Sequence, residues 1–313
     1  MSSLTLVPIS RADHESLSAL LDEEERAWFA ELAWDYAPVR DILMSFMLQN
    51  LLPGFIALKG AQVVGYGYFL THQNKGIIGT VYAPVSEDQR EAGDGILGLM
   101  IKSLKDLQQI TRIESQILPF HDLNLTAGFT RHGFECYPRY FLELDLQAPL
   151  RQKEPTLIDR IVPWDASHLQ GAAVATWNSY QDEPDAEICE DYCSVAGCEN
   201  YLRSLIENPG CGIFQPEASF VGLDSRGVPC GFVICSRTSA FAGMIPQIAI
   251  PPSHQGRGLG NALMHRALTR LKTMGMRTVS LTVTKKNRRA FEWYQRIGFR
   301  IRKEFNAHVW RRG

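Results

Sequence analysis

The chain has no apolar run approaching the ~20 residues that span a bilayer, and its start, MSSLTLVPISRADHE, has no basic segment followed by an apolar core. Neither a membrane span nor a leader is expected, so the sequence reads as cytoplasmic with no membrane partner. An excess of one charge is also missing: 32 Lys and Arg face 34 Asp and Glu, a formal net charge of −2. No global basic field draws the chain to nucleic acid or anionic lipid, and a charged partner must be met locally. Cysteines number seven, and although Cys189, Cys193 and Cys198 fall close together, no CxxC pair or His-rich run accompanies them. That pattern reads as reduced thiols on a helix, with no metal and no disulfide frame. No GK[ST] follows a glycine-rich loop, which removes a Walker A site.

What is present is length and alternation. With 313 residues, 45% of them apolar, the chain has material for two domains of ~150 residues, each able to bury a core. Both halves alternate strand-like and helix-like runs in the same order, which predicts an α/β fold with a mixed sheet. The first half opens with a strand from Leu4 to Ile9, then helices from about Glu15 to Trp34 and Val39 to Leu52. Strand-like FIALKG, QVVGYGYFL and GIIGTVYAP follow, and a glycine-containing loop leads into the amphipathic helix ILGLMIKSLKDL. The second half gives IDRIVPW, helices around His168 to Tyr180 and Ala196 to Asn208, strands SFVGLD, PCGFVICSR and MIPQIAIPP, then SHQGRGLG and another amphipathic helix. Laying FTRHGF (Phe129 to Phe134) on YQRIGF (Tyr294 to Phe299) requires an offset of 165 residues, which also places Gly93 on Gly258 and Gly95 on Gly260. Two landmarks that agree on one shift indicate a tandem duplication. The polar, Pro-containing stretch from Gln147 to Pro155 marks the boundary, dividing the chain into domains 1–148 and 149–313.

The chemistry concentrates in the second half. After Pro251 and Pro252 come Gln255-Gly256-Arg257-Gly258-Leu259-Gly260 at the start of a helix. Glycines let the backbone approach a ligand closely, and the helix N-terminus adds unpaired N–H groups and a positive dipole end, which together suit a pyrophosphate. About 27 residues on, past the strand-like TVSLTV, lies the run NRRAFEWYQRIGF (Asn287 to Phe299). Asn287 suits an N-cap, Gly298 a C-cap, and the step from Asn287 to Tyr294 is about two turns, so both side chains share a face. Taken alone, this run also reads as a capped helix with a core aromatic.

In order, and with a strand between them, IAIPPSHQGRGLG and NRRAFEWYQRIGF resemble the acyl-CoA loop and the Asn-x-x-Ala-x-x-x-Tyr-x-x-x-Gly-Phe helix of the GNAT superfamily of N-acetyltransferases. The resemblance implies two tandem GNAT-like domains, with acetyl-CoA as cosubstrate. It implies that backbone groups of Ile248, Ala249 and Ile250 pair with the pantetheine arm, and that the amides of Gln255, Gly256, Arg257, Gly258, Leu259 and Gly260 hold the pyrophosphate. Asn287, Ala290 and Phe291 would contact CoA, and the Tyr294 phenol would protonate the departing thiolate.

Many family members carry a Glu on the central strand as base, where this chain has only Gln247, an amide that cannot take a proton. A water relay or an acid from another loop must serve. Asp182, Glu183, Asp185, Glu187, Glu190 and Asp191 crowd the eleven residues from Gln181 to Asp191, on what the resemblance makes the acceptor side. Asp182, Glu183 and Asp185 are candidate acceptor-binding residues with Gln247, which implies a small-molecule or peptide acceptor that is a primary, cationic amine; a solvated acidic loop fits the same residues.

At the shared offset the first half has Arg90-Glu91-Ala92-Gly93-Asp94-Gly95, with acids where a phosphate would sit, Asp122 in place of Asn287 and Phe129 in place of Tyr294. This half is expected to perform no acetyl transfer. The letters of a dinucleotide fingerprint also occur at Gly93, Gly95 and Gly98, but Glu114 falls inside its strand rather than at the end, and the duplication accounts for the glycines. A protein of another class, a non-catalytic acyl-CoA sensor or scaffold, would need no proton donor at Tyr294.

Overall fold

The computed structural model describes residues 4–118, 120, 123–150 and 160–313. The chain forms two compact units, one of Met1–Pro138 with Phe305–Gly313 and the other of Arg139–Glu304. These units divide the chain otherwise than at residue 148: the end of each sequence repeat folds with the other unit's strands.

The first unit contains β1 (Thr5–Pro8), α1 (His14–Leu32), α2 (Ala37–Leu48), β2 (Gly54–Lys59), β3 (Gln62–His72), β4 (Lys75–Tyr82), α3 (Gln89–Asp106), β5 (Arg112–Ser115) and α4 (Thr126–Arg131). The strands run β1-β2-β3-β4-β5, antiparallel except for the parallel β4/β5 pair. Residues His308–Arg311 of the last strand of the chain pair antiparallel with β5. The expected glycine-containing loop is not there. Residues 90–95 lie inside α3, where Gly93 packs against Leu123 and Gly95 against Leu6, so their lack of a side chain serves close packing. This removes both a glycine-turn phosphate loop and a dinucleotide fingerprint, because Gly93 and Gly95 lie past the first turn of α3, where the N–H groups are engaged within the helix. Asp94 pairs with Arg131 at 2.9 Å and Phe129 is fully buried, stacked on His308. Asp122 lies outside the described residues.

The second unit takes β6 (Glu135–Asp145) from Arg139 onward, then β7 (Arg160–Pro163), α5 (Leu169–Tyr180), α6 (Pro184–Ile188), α7 (Val195–Glu207), β8 (Ile213–Phe214), β9 (Phe220–Leu223), β10 (Pro229–Arg237), β11 (Ala242–Ala249), α8 (Leu259–Thr273), β12 (Thr278–Thr284) and α9 (Arg288–Ile297), with β13 (Arg300–Arg311) leading out of it. Its strand order is β6-β12-β11-β10-β9-β7, with β8 also on β10. Alternation along β10 explains the layers: Val233 and Cys235 face α8 with Leu259, Leu263, Ala267 and Leu271, while Phe232 and Ile234 face α5 and α7 with Ala172, Cys198 and Leu202. Of the three clustered cysteines only Cys198 sits in a helix of the long kind; Cys189 and Cys193 lie in the segment between α6 and α7, and none of the seven cysteines is in a disulfide.

Two irregularities open this sheet. Between the pairs Ile234↔Gln247 and Ser236↔Met244, β10 advances two residues and β11 three, a bulge that accommodates Pro246, which has no N–H for a ladder. The only parallel ladder of the unit among the described residues, β11 with β12, stops at Met244↔Ser280 although β11 runs to Ala249 and β12 to Thr284. Past that point the two strands part, and β11 presents one edge to a cleft.

Candidate functional site

One wall of the cleft is the turn into α8. Gly256 and Gly258 have φ of +76° and +90°, a left-handed backbone that costs a side-chain-bearing residue strain, so both positions call for glycine. Gly258 is the N-cap of α8, which leaves the first amides of the helix without intrahelical partners. Gln255 braces the turn from behind, its Nε2 donating to the Ile250 carbonyl at 2.8 Å. Leu259 contributes only its backbone, since its side chain is buried against Gly222 and Gly231. Gly260 differs: a Cβ there would crowd the tip of the Ile250 side chain and rest in ordinary contact with the Trp293 ring. Arg257 is exposed. These features fit an anionic diphosphate at the helix start, with Arg257 free to add charge.

Beside this turn lies α9, whose Trp293 reaches the first turn of α8. Asn287 caps it, Oδ1 accepting from the Ala290 amide at 3.1 Å, and Gly298 ends it at φ +126°, as the spacing predicts. Tyr294 is 8% exposed, wedged between Trp293 and Phe299 at ring distances of 5.0 and 5.8 Å. Burial raises its phenol well above the ordinary value, and the charge of Asp185 adds to this. The group therefore keeps its proton at neutral pH, the state a proton donor needs. Phe291 stacks on Tyr140 of β6 at 4.8 Å, and the Trp293 indole donates to Asn261 at 2.6 Å.

The floor holds two polar groups, one on α5 and β11 and one that joins α6, β6 and β12. Gln247 is 3% exposed; its Oε1 accepts from the Tyr180 hydroxyl at 2.9 Å and from the Ile248 amide at 3.0 Å, and its Nε2 donates to the Tyr192 hydroxyl at 3.1 Å. Tyr180 and Tyr192 are stacked at 4.2 Å. Gln247 is thus a fixed structural amide that also covers the Ile248 N–H, while Ala249 is buried on the same strand.

The acidic run divides. Asp182 is exposed. Asp185 is buried and accepts from the Thr284 hydroxyl at 2.9 Å, with Arg139 of β6 at 3.3 Å. Glu183 caps α6 from its N-terminal side and accepts from Asn287 Nδ2 at 3.0 Å. Burial pushes the Glu183 carboxyl up, the neighbouring Asp185 charge adds to this, and Arg289 opposes it. Glu183, Asp185, Gln247, Asn287 and Tyr294 therefore belong to one constellation, with Asp182 at its exposed edge. Arg139, Thr284, Tyr180 and Tyr192 complete it and escaped sequence reading. Arg139 stands opposite Thr284 only through the antiparallel register of β6 on β12, which no local spacing encodes.

Residues 173–299 match the profile of the Acetyltransferase (GNAT) family. Curated relatives include an uncharacterized N-acetyltransferase of Methanocaldococcus jannaschii, 35% identical over 91 residues (27% of this chain and 40% of that protein). Another is a mycothiol acetyltransferase of Gordonia bronchialis, 31% identical over 99 residues, covering 31% of this chain and 32% of the relative. The chain thus spans well under half of either relative. Among solved structures, a tandem GNAT protein from the clavulanic acid biosynthesis pathway superposes with a TM-score of 0.65 at 15% identity over 99% of both chains. A GCN5-related N-acetyltransferase from Sphaerobacter thermophilus gives 0.66 at 14% identity, covering 98% of this chain and 95% of that one. These two likenesses establish the tandem fold.

Proposed function

We propose, from the premise that residues 173–299 belong to the Acetyltransferase (GNAT) family, that the chain is an acetyl-CoA-dependent N-acetyltransferase acting on a primary, cationic amine in its C-terminal domain, 149–313. The observation that carries the reading is the placement, on two helices joined by the Trp293–Asn261 hydrogen bond, of a left-handed glycine turn at the start of α8 and a buried, protonated Tyr294 on α9. Acetyl-CoA supplies a thioester, and the chain supplies what that thioester needs. Amides from Gln255 to Gly260 hold the diphosphate, the end of β11 at Ile248 and Ala249 with Ile250 just beyond it receives the pantetheine arm, and Asn287, Ala290 and Phe291 line the α9 side. The Tyr294 hydroxyl holds the proton for the departing sulfur. Glu183 and Asp182 attract a positively charged acceptor, whereas the Asp185 charge is already matched by Arg139. The N-terminal domain, 1–148, performs no transfer, because the positions of the glycine turn are occupied by a helix in α3 and Tyr294 is replaced by Phe129.

Calorimetric titration of acetyl-CoA into the wild type and into a Gly258→Glu, Gly260→Glu variant tests this reading, together with CoA release from an amine panel. One site, lost in the variant, with Tyr294→Phe sparing binding yet lowering turnover by ~10- to 1000-fold, is the expected result. Binding without release of CoA for any amine would favour a sensor; binding that survives in the variant would return the first domain to consideration.

A further inference from the structure

The strand β6 is, by the 165-residue repeat, the last strand of the first copy, yet from Arg139 it folds into the second unit and pairs with β12 over seven residues, Arg139↔Thr284 to Asp145↔Thr278. This antiparallel ladder sets Arg139 directly across from Thr284, and diagonally from Thr282, on one face of the sheet. The Arg139 guanidinium reaches Thr282 Oγ1 at 3.2 Å and Asp185 Oδ1 at 3.3 Å, and the Thr284 hydroxyl donates to the same Asp185 oxygen. Both members of the ion pair are only 8% exposed. A carboxylate withdrawn this far from water is tolerated only when a counter-charge and hydrogen bonds replace its hydration. Asp185 stands on α6 two residues beyond Glu183, which accepts from Asn287 Nδ2 at 3.0 Å, and Asn287 caps the helix that carries Tyr294, so the charge of Asp185 acts on the phenol through a fixed connection.

We propose that Arg139, a residue of the first sequence copy, is a positioning residue for acetyl transfer in the second: it fixes the Asp185 carboxylate against Thr284 and offsets its negative field at the Tyr294 hydroxyl. The proposal rests on the acetyl-transfer reading and on Tyr294 as the acid. When the phenol gives its proton to the leaving sulfur, negative charge develops on its oxygen. An Asp185 carboxylate without its guanidinium would oppose that charge, and so would slow the chemical step while leaving the α8 turn untouched. A second consequence is that the first copy contributes to the reaction although it holds no glycine turn of its own.

The test uses the full chain as wild type, Arg139→Ala, Arg139→Lys, Asp185→Asn and the double variant Arg139→Ala, Asp185→Asn, reading acetyl-CoA affinity by calorimetry and kcat by CoA release. Arg139→Ala is expected to bind acetyl-CoA within ~2-fold of wild type but to lose ~10-fold or more in kcat, with Arg139→Lys intermediate. Because Arg139 acts through Asp185, the double variant should match Asp185→Asn alone and exceed Arg139→Ala. If Arg139→Ala does not fold, Arg139→Lys decides: a loss in kcat that disappears when Asp185→Asn is added supports the proposal, and no loss, or a loss that persists beside Asp185→Asn, overturns it. Unchanged kcat in Arg139→Ala also overturns it. A wild type that binds acetyl-CoA and acetylates no amine removes the transfer reading and the proposal together, whereas an active wild type with indifferent Arg139 variants removes the proposal alone.

Discussion

Asn287 Nδ2 donates to Glu183 Oε2 at 3.0 Å, tying the N-cap of α9 to the N-cap of α6 across 104 residues of sequence. One side chain thus serves two ends: its oxygen closes a helix and its nitrogen holds an acid at the cleft.

The two jobs of Asn287 separate by substitution. Asn287→Ser keeps a cap oxygen but loses the amide nitrogen, so thermal stability should stay within about 0.5 kcal/mol of wild type while the KM for the amine rises. Asn287→Ala loses both and should cost roughly 1 kcal/mol more. Chemical denaturation and steady-state kinetics on the pair of variants check this, and an unaltered amine KM in Asn287→Ser would detach Glu183 from acceptor binding.

Gly258 sits at φ +90°, and Gly258→Ala should destabilise the unit by about 1–2 kcal/mol through backbone strain alone. It should weaken acetyl-CoA more than this strain explains, because the amides that follow would be turned away from the ligand. Denaturant midpoints beside calorimetric affinities give both numbers from one sample.

The first unit holds a carboxyl that titrates near neutrality. Glu24 of α1 is 1% exposed, and burial raises it to about 7, against opposing hydrogen bonds from Tyr66, Trp28 and Thr80. Its proton is bound more tightly in the folded chain than in the unfolded one, where the value is near 4.5. The stabilisation is therefore complete below about pH 4.5 and lost as pH rises to about 7, a swing of about 3 kcal/mol. Glu24→Gln should remove this contribution, so that its stability at pH 8 relative to pH 5, measured by denaturation, exceeds the wild type's by about 3 kcal/mol.

His308 works in the opposite sense. Both its ring nitrogens are buried without a hydrogen-bond partner among the described residues, and its ring stacks on Phe129 at 4.0 Å. Burial lowers it from 6.5 to about 4, so the neutral form is favoured on folding and its stabilisation is present above about 6.5 and lost as pH falls to about 4, again about 3 kcal/mol. Glu24 and His308 then oppose each other between pH 4.5 and 6.5, and the wild-type stability curve should be nearly flat there. His308→Leu should leave a protein that gains stability on acidification through this window; a variant that follows the wild-type curve would show that His308 does not titrate in it.

The sequence by itself determined the parts of this protein that are governed by neighbours within a few turns. Asn287 and Gly298 announce the ends of α9 because capping is a contact across three or four residues, and Gly256 and Gly258 announce a left-handed turn because only glycine adopts it without strain. The alternation of strands and helices gave the mixed α/β layers for the same reason, and its recurrence at 165 residues marked the two copies. Tertiary structure decided what distance in sequence hides. Gly93 and Gly95 carry the same letters as Gly258 and Gly260, yet they lie in the interior of α3, packed on Leu123 and Leu6, since a glycine meets the demands of close packing as readily as those of a turn. Which acid is matched by a cation was decided by the register of β6 on β12, which sets Arg139 beside Asp185. That register follows from strand order and from burying alternate side chains, which are properties of the folded sheet as a whole.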